Sequence, residues 1–163
     1  MVFVFQMNAN GAYTNEINFD GANGVGAIAM QGLMNTINTL EAGMMQVNTY
    51  NGNVENGQLL NSNCGADFVK VQQRSPENFE HAPSLRCVSF DGDADRVVYF
   101  YTDKSGVFRL LDGDRIATLI AGYLKELLRQ TEIELNLGLV QTAYANGSST
   151  EYITTVLVSK GHT

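Results

Sequence analysis

The sequence predicts an α/β fold in which a mixed sheet is sandwiched between helices. Stretches rich in β-branched and aromatic residues alternate with stretches whose apolar residues recur at helical spacing, and Gly, Asn and Asp mark the turns between them. The 163 residues suit one domain and part of another. We therefore expect an irregular leader at residues 1–15, a first domain at 16–111 and a second at 112–163, with the boundary near Leu111 to Gly113.

The first half of the chain predicts two strands and two helices. The first strand leads through the turn DGANGVGA, residues 20–27, into a helix with apolar residues at helical spacing. The second strand ends at the turn NGNVENG, residues 51–57. The predicted elements are a strand at Glu16 to Phe19, a helix around Ile28 to Leu40, a strand within MMQVNTY at 44–50, and a helix at Ala66 to Arg74 that ends before Pro76.

The second half predicts four strands and two helices. Asp112 and Asp114 are suited to the first turn of the longer helix, whose apolar positions continue to Leu128. Ser148-Ser149-Thr150-Glu151 has the spacing of a capping box that opens a last short helix. The predicted strands are Leu85 to Phe90, Val97 to Tyr101, Val107 to Leu111 and Leu139 to Tyr144.

The composition argues against several classes of partner. A formal net charge of −7 does not suit non-specific binding to nucleic acid or to an anionic membrane surface, since both need clustered Lys and Arg. No apolar run has the length of a membrane span, and the first residues lack the features of a signal peptide. The two cysteines and two histidines form no zinc-binding pattern. We expect a cytoplasmic protein with reduced thiols.

The segment SFDGDADRVVYF, residues 89–100, carries the most informative cluster. It places Asp91, Asp93 and Asp95 at alternate positions in the turn between two predicted strands, where their charges repel one another unless a cation lies among them. Oxygen ligands favour Mg²⁺ or Ca²⁺. An EF-hand is excluded, because its required Gly and Glu positions hold Arg96 and Thr102.

Arg96 follows the acidic cluster directly and indicates a phosphate ligand. A guanidinium beside a bound metal ion can neutralise the oxygens of a phosphate group together with that ion. The alternative is an acidic hairpin turn in which Arg96 pairs with one aspartate.

Three other segments are weaker candidates, each with a structural alternative. The turn from Asp20 to Gly26 could bind an anion through its backbone amides, or it could simply connect a strand to a helix. Cys64 could be a nucleophile or a small buried residue. Tyr144 to Thr150 could bind a sugar or cap a helix.

Five segments together resemble the phosphoacetylglucosamine mutase family of the α-D-phosphohexomutase superfamily, over about Glu16 to Thr150. The acidic motif is typical of the superfamily, and CGADFVK and QTAYANGSST indicate the acetylglucosamine branch. The segments are DGANGVGA at 20–27, LNSNCGADFVKVQQ at 60–73, SFDGDADRVVYFY at 89–101, LLDGDRIATLIAGYLKELL at 110–128 and VQTAYANGSST at 140–150.

The resemblance implies a phosphohexomutase-like fold and a specific reaction. In that reaction N-acetylglucosamine 6-phosphate and 1-phosphate are interconverted through a phosphoserine enzyme and a bisphosphate intermediate, on the route to UDP-N-acetylglucosamine. Asp91, Asp93 and Asp95 match the family's Mg²⁺ ligands, and Arg96 matches the arginine that faces the transferring phosphate. The implied partners are a phosphorylated N-acetylhexosamine and the rest of a mutase chain.

The sequence also departs from the family pattern. The family's serine loop, sugar-binding loop and C-terminal phosphate loop have no match, so no nucleophile or sugar-contacting residue can be named. Residues before Glu16 and the final VLVSKGHT do not match either. We therefore expect a fragment with the family's second domain and an incomplete third, inactive in isolation. The alternatives are a non-catalytic module that binds Mg²⁺ or phosphate, and a subunit completed by a separately encoded chain.

Overall fold

The computed structural model describes residues 15–40, 44–80, 82–83, 85–131, 135 and 138–158. The predicted leader at 1–15 lies outside this part of the chain, except for Asn15. The strands are β1 (Glu16–Asp20), β2 (Gln46–Tyr50), β3 (Cys87–Phe90), β4 (Val97–Thr102) and β5 (Phe108–Leu111). The α-helices are α1 (Val25–Leu40), α2 (Ala66–Gln72), α3 (Gly113–Arg129) and α4 (Gly147–Val158), and a 3₁₀ turn lies at Gly57–Leu59.

The five strands form one mixed sheet in the order β2-β1-β3-β4-β5. β1 pairs in parallel with both β2 and β3, whereas β3 and β4 are antiparallel. Parallel neighbours need a crossover connection, and α1 lies in the crossover between β1 and β2. The α/β class and the mixed sheet predicted from the sequence are therefore confirmed.

Aromatic side chains build the core around the central strands. Phe19 of β1 meets Phe90 of β3 edge to face, with ring centroids 4.9 Å apart. Phe100 of β4 packs between Phe79 and Phe108, at 5.5 and 5.6 Å. Phe19 and Phe100 are fully buried, and burial of each such side chain contributes about 1.5–3 kcal/mol. This packing fixes the end of β3 and the start of β4, between which the three aspartates lie.

The chain divides into two compact units, residues 1–109 and 110–163, and the division falls within β5. In the second unit α3 packs on α4. The side chain of Asp112 accepts a hydrogen bond from the amide of Arg115 at 3.3 Å and so caps α3. The carboxylate of Asp114 accepts from the amide of Asn146 at 2.9 Å, which joins the start of α3 to the start of α4.

Two expectations for the second unit were wrong. Leu139 to Tyr144 forms no strand. A strand needs a neighbour for its amide groups, and the described residues after β5 contain none. Helix α4 begins at Gly147, because Asn146 rather than Ser148 supplies the capping oxygen: Asn146 Oδ1 accepts from the amide of Ser148 at 2.9 Å. An asparagine caps as well as a serine, and the capping-box spacing cannot tell them apart.

No helix in the described part of the chain has the length and apolar composition that a membrane crossing requires.

Candidate metal centre

The structure brings together the three aspartates that the sequence singled out. Asp91, Asp93 and Asp95 each offer a carboxylate oxygen, and these oxygens lie within 4.8 Å of one another in the turn between β3 and β4. Asp91 is buried, with 2% of its surface exposed, whereas Asp93 and Asp95 are exposed. One side of the cluster is therefore fixed by the protein interior and the other faces solvent.

The turn has a tight backbone. The amide of Ala94 donates to the carbonyl oxygen of Asp91 at 3.1 Å, and Ala94 itself adopts a left-handed conformation with φ of 61°. The small Ala side chain limits the cost of this conformation. Because Phe90 and Val97 are paired in register, the strands hold both ends of the turn and the aspartates converge.

Arg96 completes the loop by binding Asp91 twice. Its backbone amide lies 3.1 Å from Oδ1 of Asp91, and its Nε lies 2.7 Å from Oδ2. Nε is also 3.5 Å from Asp95, and Nη1 forms a short ion pair with Asp67 at the start of α2. The ion pair between Arg96 and Asp91 is the one that the hairpin-turn alternative predicts. The carboxylate cluster nevertheless remains open to solvent at Asp93 and Asp95.

These contacts shift the pKa values of the charged groups. Burial alone would raise the pKa of Asp91, but the hydrogen bonds from the amide and guanidinium of Arg96 outweigh it, and the pKa lies below its usual value. The pKa of Asp95 is raised, first by its hydrogen bond with Asp91 and next by the charge of Asp93. The pKa of Arg96 is raised, chiefly by its contacts with Asp67 and Asp91. The loop therefore concentrates negative charge that a cation would relieve.

The glycine-rich turn after β1 packs directly against the turn between β3 and β4, residues 91–96, which carries the three aspartates and is called the metal loop below. The amide of Val25 donates to the carbonyl oxygen of Gly92 at 3.1 Å. The amides before it in the turn are also used within the protein: Ala22 donates to Asp20 Oδ1 at 3.2 Å, and Asn23 and Gly24 donate to backbone carbonyls. These four amides have no capacity left for an anion. The connecting-turn alternative is the one that the geometry supports.

Asp20, which the sequence pattern indicated only as part of a turn, is a key residue of this region. It is fully buried and accepts four hydrogen bonds. The donors are the amide of Ala22 at 3.2 Å, Asn51 Nδ2 at 2.9 Å, the amide of Gly65 at 2.7 Å and Ser89 Oγ at 2.5 Å. One carboxylate thus connects the ends of β1 and β2, the start of α2, and β3. An acid at the end of a buried strand is the sequence signal that could have indicated this role.

The remaining candidates have structural roles. Cys64 is 2% exposed, and burial together with the charge of Asp20 raises the pKa of its thiol to about 11, which does not suit a nucleophile. In the segment from Tyr144 to Thr150, Asn146 caps α4, as described above.

The donor set fits a hard divalent cation. All three clustered side chains offer carboxylate oxygens, which Mg²⁺ and Ca²⁺ prefer, and Mg²⁺ usually keeps water or phosphate oxygens as its other ligands. The loop holds three carboxylates and one guanidinium, and a divalent ion would offset this excess of negative charge.

Two family models match the chain. One is described as phosphoacetylglucosamine mutase AMG1, domain II, and covers residues 3–98. The other is described as domain III of the same enzyme and covers residues 112–161. The similarity therefore extends beyond Glu16 and Thr150 towards both ends, further than the sequence motifs indicated, and the expectation that the flanking residues do not match was wrong.

Curated and solved proteins agree with the family models. The phosphoacetylglucosamine mutase of Mus musculus is 45% identical over 152 residues, which are 93% of this chain and 27% of the mouse protein. N-acetylphosphoglucosamine mutase of Aspergillus fumigatus, solved with GlcNAc-6P and magnesium, is 46% identical with a TM-score of 0.78 over 88% of this chain and 29% of that one. A variant of the fungal enzyme in complex with glucose-1,6-bisphosphate gives the same identity and TM-score over 88% and 27%. The chain spans about a quarter of the length of the curated relatives it matches.

Proposed function

This chain belongs to the phosphoacetylglucosamine mutase family, and we propose that it supplies the metal and phosphate centre of an enzyme that interconverts N-acetylglucosamine 6-phosphate and N-acetylglucosamine 1-phosphate. The observation that carries the proposal is the convergence of Asp91, Asp93 and Asp95 beside the guanidinium of Arg96. The relatives solved with GlcNAc-6P and magnesium and with glucose-1,6-bisphosphate support the substrate class and a bisphosphate intermediate.

We assign the three aspartates as Mg²⁺ ligands and Arg96 as the residue that contacts the transferring phosphate. Bound Mg²⁺ would supply charge neutralisation of phosphoryl oxygens. Asp91 would act from a fixed position, since it is buried and bonded to the amide of Arg96, whereas Asp93 and Asp95 lie at the exposed side. Arg96 would donate hydrogen bonds to the phosphate and orient it. None of the residues here is assigned as the nucleophile, which the family resemblance identifies as a phosphoserine.

We further assign residues 16–111 and 112–163 to the family's second and third domains, and the reaction to UDP-N-acetylglucosamine biosynthesis in the cytoplasm. The extents of the two matching family models support the division. Cys64 and Cys87 are free thiols at buried positions, which is consistent with a reducing compartment.

A chimera tests the activity. The matching segment of the mouse enzyme is replaced by this chain, and conversion of N-acetylglucosamine 6-phosphate is measured with Mg²⁺ and after chelation. We expect Mg²⁺-dependent turnover that Asp93→Asn lowers by at least about 100-fold, because loss of a ligand weakens the hold on the metal ion that stabilises the transition state. Glu55→Gln, which removes an exposed carboxylate outside the loop, is the matched control.

A folded chimera without turnover would contradict the proposal. Calorimetric titration of the chain with Mg²⁺ then separates the alternatives. Tight binding that Asp93→Asn abolishes, without turnover in the chimera, would favour a non-catalytic Mg²⁺-binding module.

A further inference from the structure

We infer that Asp67 is a positioning residue that holds the Arg96 guanidinium beside the metal loop when Mg²⁺ is bound; this inference rests on the proposed function. Asp67 lies in the first turn of α2 and forms an ion pair with Nη1 of Arg96, 29 residues away in sequence. Among the described residues, the carboxylate cluster contains Asp91, Asp93 and Asp95 but not Asp67. Asp67 is thus the acidic partner of Arg96 that lies outside the proposed ligand set.

The need for such a partner follows from the other contacts of Arg96. Its Nε lies 2.7 Å from Asp91 and 3.5 Å from Asp95, and both carboxylates are proposed Mg²⁺ ligands. A bound cation occupies their oxygens and neutralises their charge, which weakens their attraction for the guanidinium. Asp67 lies outside the proposed ligand set, so the cation does not occupy its oxygens. With the metal bound, Asp67 becomes the main electrostatic partner that keeps Arg96 in place.

The backbone beneath Asp67 is rigid enough for this role. The amide of Gly65 donates to the buried Asp20 at 2.7 Å, and Ala66 and Val69 are buried. Asp20 also accepts from Ser89 of β3, two residues before Asp91. The start of α2 and the end of β3 are therefore joined through one carboxylate. Asp67 projects from a fixed element, although 65% of its own side chain is exposed.

The guanidinium keeps one group available for a ligand. Nε and Nη1 of Arg96 are engaged by Asp91 and Asp67, whereas Nη2 has no hydrogen-bond partner in the described part of the chain. A guanidinium held at two nitrogens can present the third to a phosphate oxygen in a defined direction. This arrangement converts a mobile side chain into an oriented donor.

A purely electrostatic effect of Asp67 on phosphate affinity would be opposite to the effect of a positioning role. A carboxylate that only lay nearby would repel phosphate, and its removal would tighten phosphate binding. A positioning role predicts weaker phosphate binding when Asp67 is neutralised, because Arg96 then loses its orientation.

The test uses the ¹⁵N-labelled chain and its Asp67→Asn, Asp67→Glu and Glu55→Gln variants. Solvent exchange of the Arg96 Nε proton is measured by NMR without metal and with saturating Mg²⁺. Affinity for inorganic phosphate in the presence of Mg²⁺ is measured by calorimetry. Without metal we expect little change, because Asp91 still holds Nε. With Mg²⁺, we expect Asp67→Asn to speed exchange and weaken phosphate binding, each by about tenfold.

The controls distinguish positioning from general disruption. Asp67→Glu should restore part of the protection, Glu55→Gln should match the wild type, and Mg²⁺ affinity should change by less than about threefold in all variants, as expected for residues outside the ligand set. If Asp67→Asn binds Mg²⁺ but the exchange of its Arg96 Nε proton is unchanged, or if it binds phosphate more tightly, the inference is wrong while the proposed function stands. Absence of Mg²⁺ binding by the wild type would contradict the proposed function and the inference together.

Discussion

Gly24 lies directly against Gly92, so closely that a Cβ atom on Gly24 would stand 2.1 Å from the carbonyl oxygen of Gly92. The neighbouring amide of Val25 donates to that same oxygen at 3.1 Å. The glycine-rich turn after β1 therefore determines where the metal loop can lie, although it contributes no side chain to the carboxylate cluster. Gly24 therefore serves the close packing of two loops rather than anion binding.

Gly24→Ala should destabilise the protein and weaken Mg²⁺ binding. The added methyl group collides with backbone atoms, which cannot rotate away, and such overpacking costs about 1–3 kcal/mol. Urea unfolding and Mg²⁺ titration measure the two effects. Gly32→Ala in α1 is the matched control, because a Cβ there meets nothing within 4 Å, and we expect it to stabilise the helix by about 0.5–1 kcal/mol. Equal effects of the two substitutions would contradict the packing argument.

Local sequence patterns predicted most of the fold because those elements depend on short-range periodicity. All five strands of the sheet and α1 to α3 follow from apolar spacing and turn residues, and the clustering of Asp91, Asp93 and Asp95 follows from alternation within one turn. The strand predicted at 139–144 failed because a strand depends on a neighbour, which apolar spacing does not report.

Local sequence patterns could not predict the contacts between residues far apart in the chain. The ion pair between Asp67 and Arg96 joins residues 29 positions apart. The hydrogen bond between Ser89 and Asp20 joins residues 69 positions apart. Neither pair has a spacing that a single helix or turn would impose. The Asp20–Ser89 hydrogen bond follows from the order β2-β1-β3-β4-β5, which places the ends of β1 and β3 side by side. The Asp67–Arg96 ion pair follows from the packing of α2 against β3 and β4.

Asp20→Asn should be strongly destabilising. The carboxylate accepts from four donors in a fully buried position, and an amide group would turn a donor towards some of them. We expect a loss of about 3 kcal/mol or more in the free energy of unfolding. Ser89→Ala removes one donor and leaves the other three, so it should cost only about 1–2 kcal/mol. A similar loss for both variants in urea unfolding would refute a shared role for the four hydrogen bonds.

The buried thiols should make the protein sensitive to alkaline pH. Burial raises the pKa of Cys87 to about 12, and burial with the charge of Asp20 raises that of Cys64 to about 11, from 9.0. Because the folded state holds these protons more tightly, the contribution to stability is complete below pH 9 and is lost as pH rises towards 11–12. Each thiol adds a slope of up to about 1.4 kcal/mol per pH unit.

Urea unfolding between pH 8 and 11 measures that slope. The double variant Cys64→Ala, Cys87→Ala should show a shallower decline than the wild type, whatever its stability at pH 7. An identical slope in both proteins would show that the thiols do not titrate as their burial requires.

Asn146→Ala should weaken α4 more than Ser148→Ala does. Asn146 supplies the oxygen that caps the first turn, and loss of such a cap costs about 1 kcal/mol. The Ser148 substitution should change the free energy of unfolding by less than about 0.5 kcal/mol. The reverse order in thermal or urea unfolding would restore Ser148 as the cap that the sequence predicted.

Asp93→Asn and Asp91→Asn should separate metal binding from folding. Asp93 is exposed, and its negative charge repels the carboxylates beside it. Its neutralisation should therefore leave the metal-free protein unchanged or more stable by up to about 0.5 kcal/mol. Asp91 is buried and accepts two hydrogen bonds from Arg96, so its neutralisation should cost about 2–4 kcal/mol.

Both variants should lower Mg²⁺ affinity by at least about tenfold, because each removes a charged oxygen ligand. Calorimetry and urea unfolding on the same samples give both quantities. Metal affinity that survives Asp93→Asn would remove Asp93 from the ligand set. A stability loss in Asp93→Asn as large as in Asp91→Asn would mean that the exposed carboxylate serves the turn itself, as the hairpin alternative requires. The different effects expected without metal follow from the burial and hydrogen bonds of Asp91 and from the exposure of Asp93, and so they test the geometry of the loop independently of any activity.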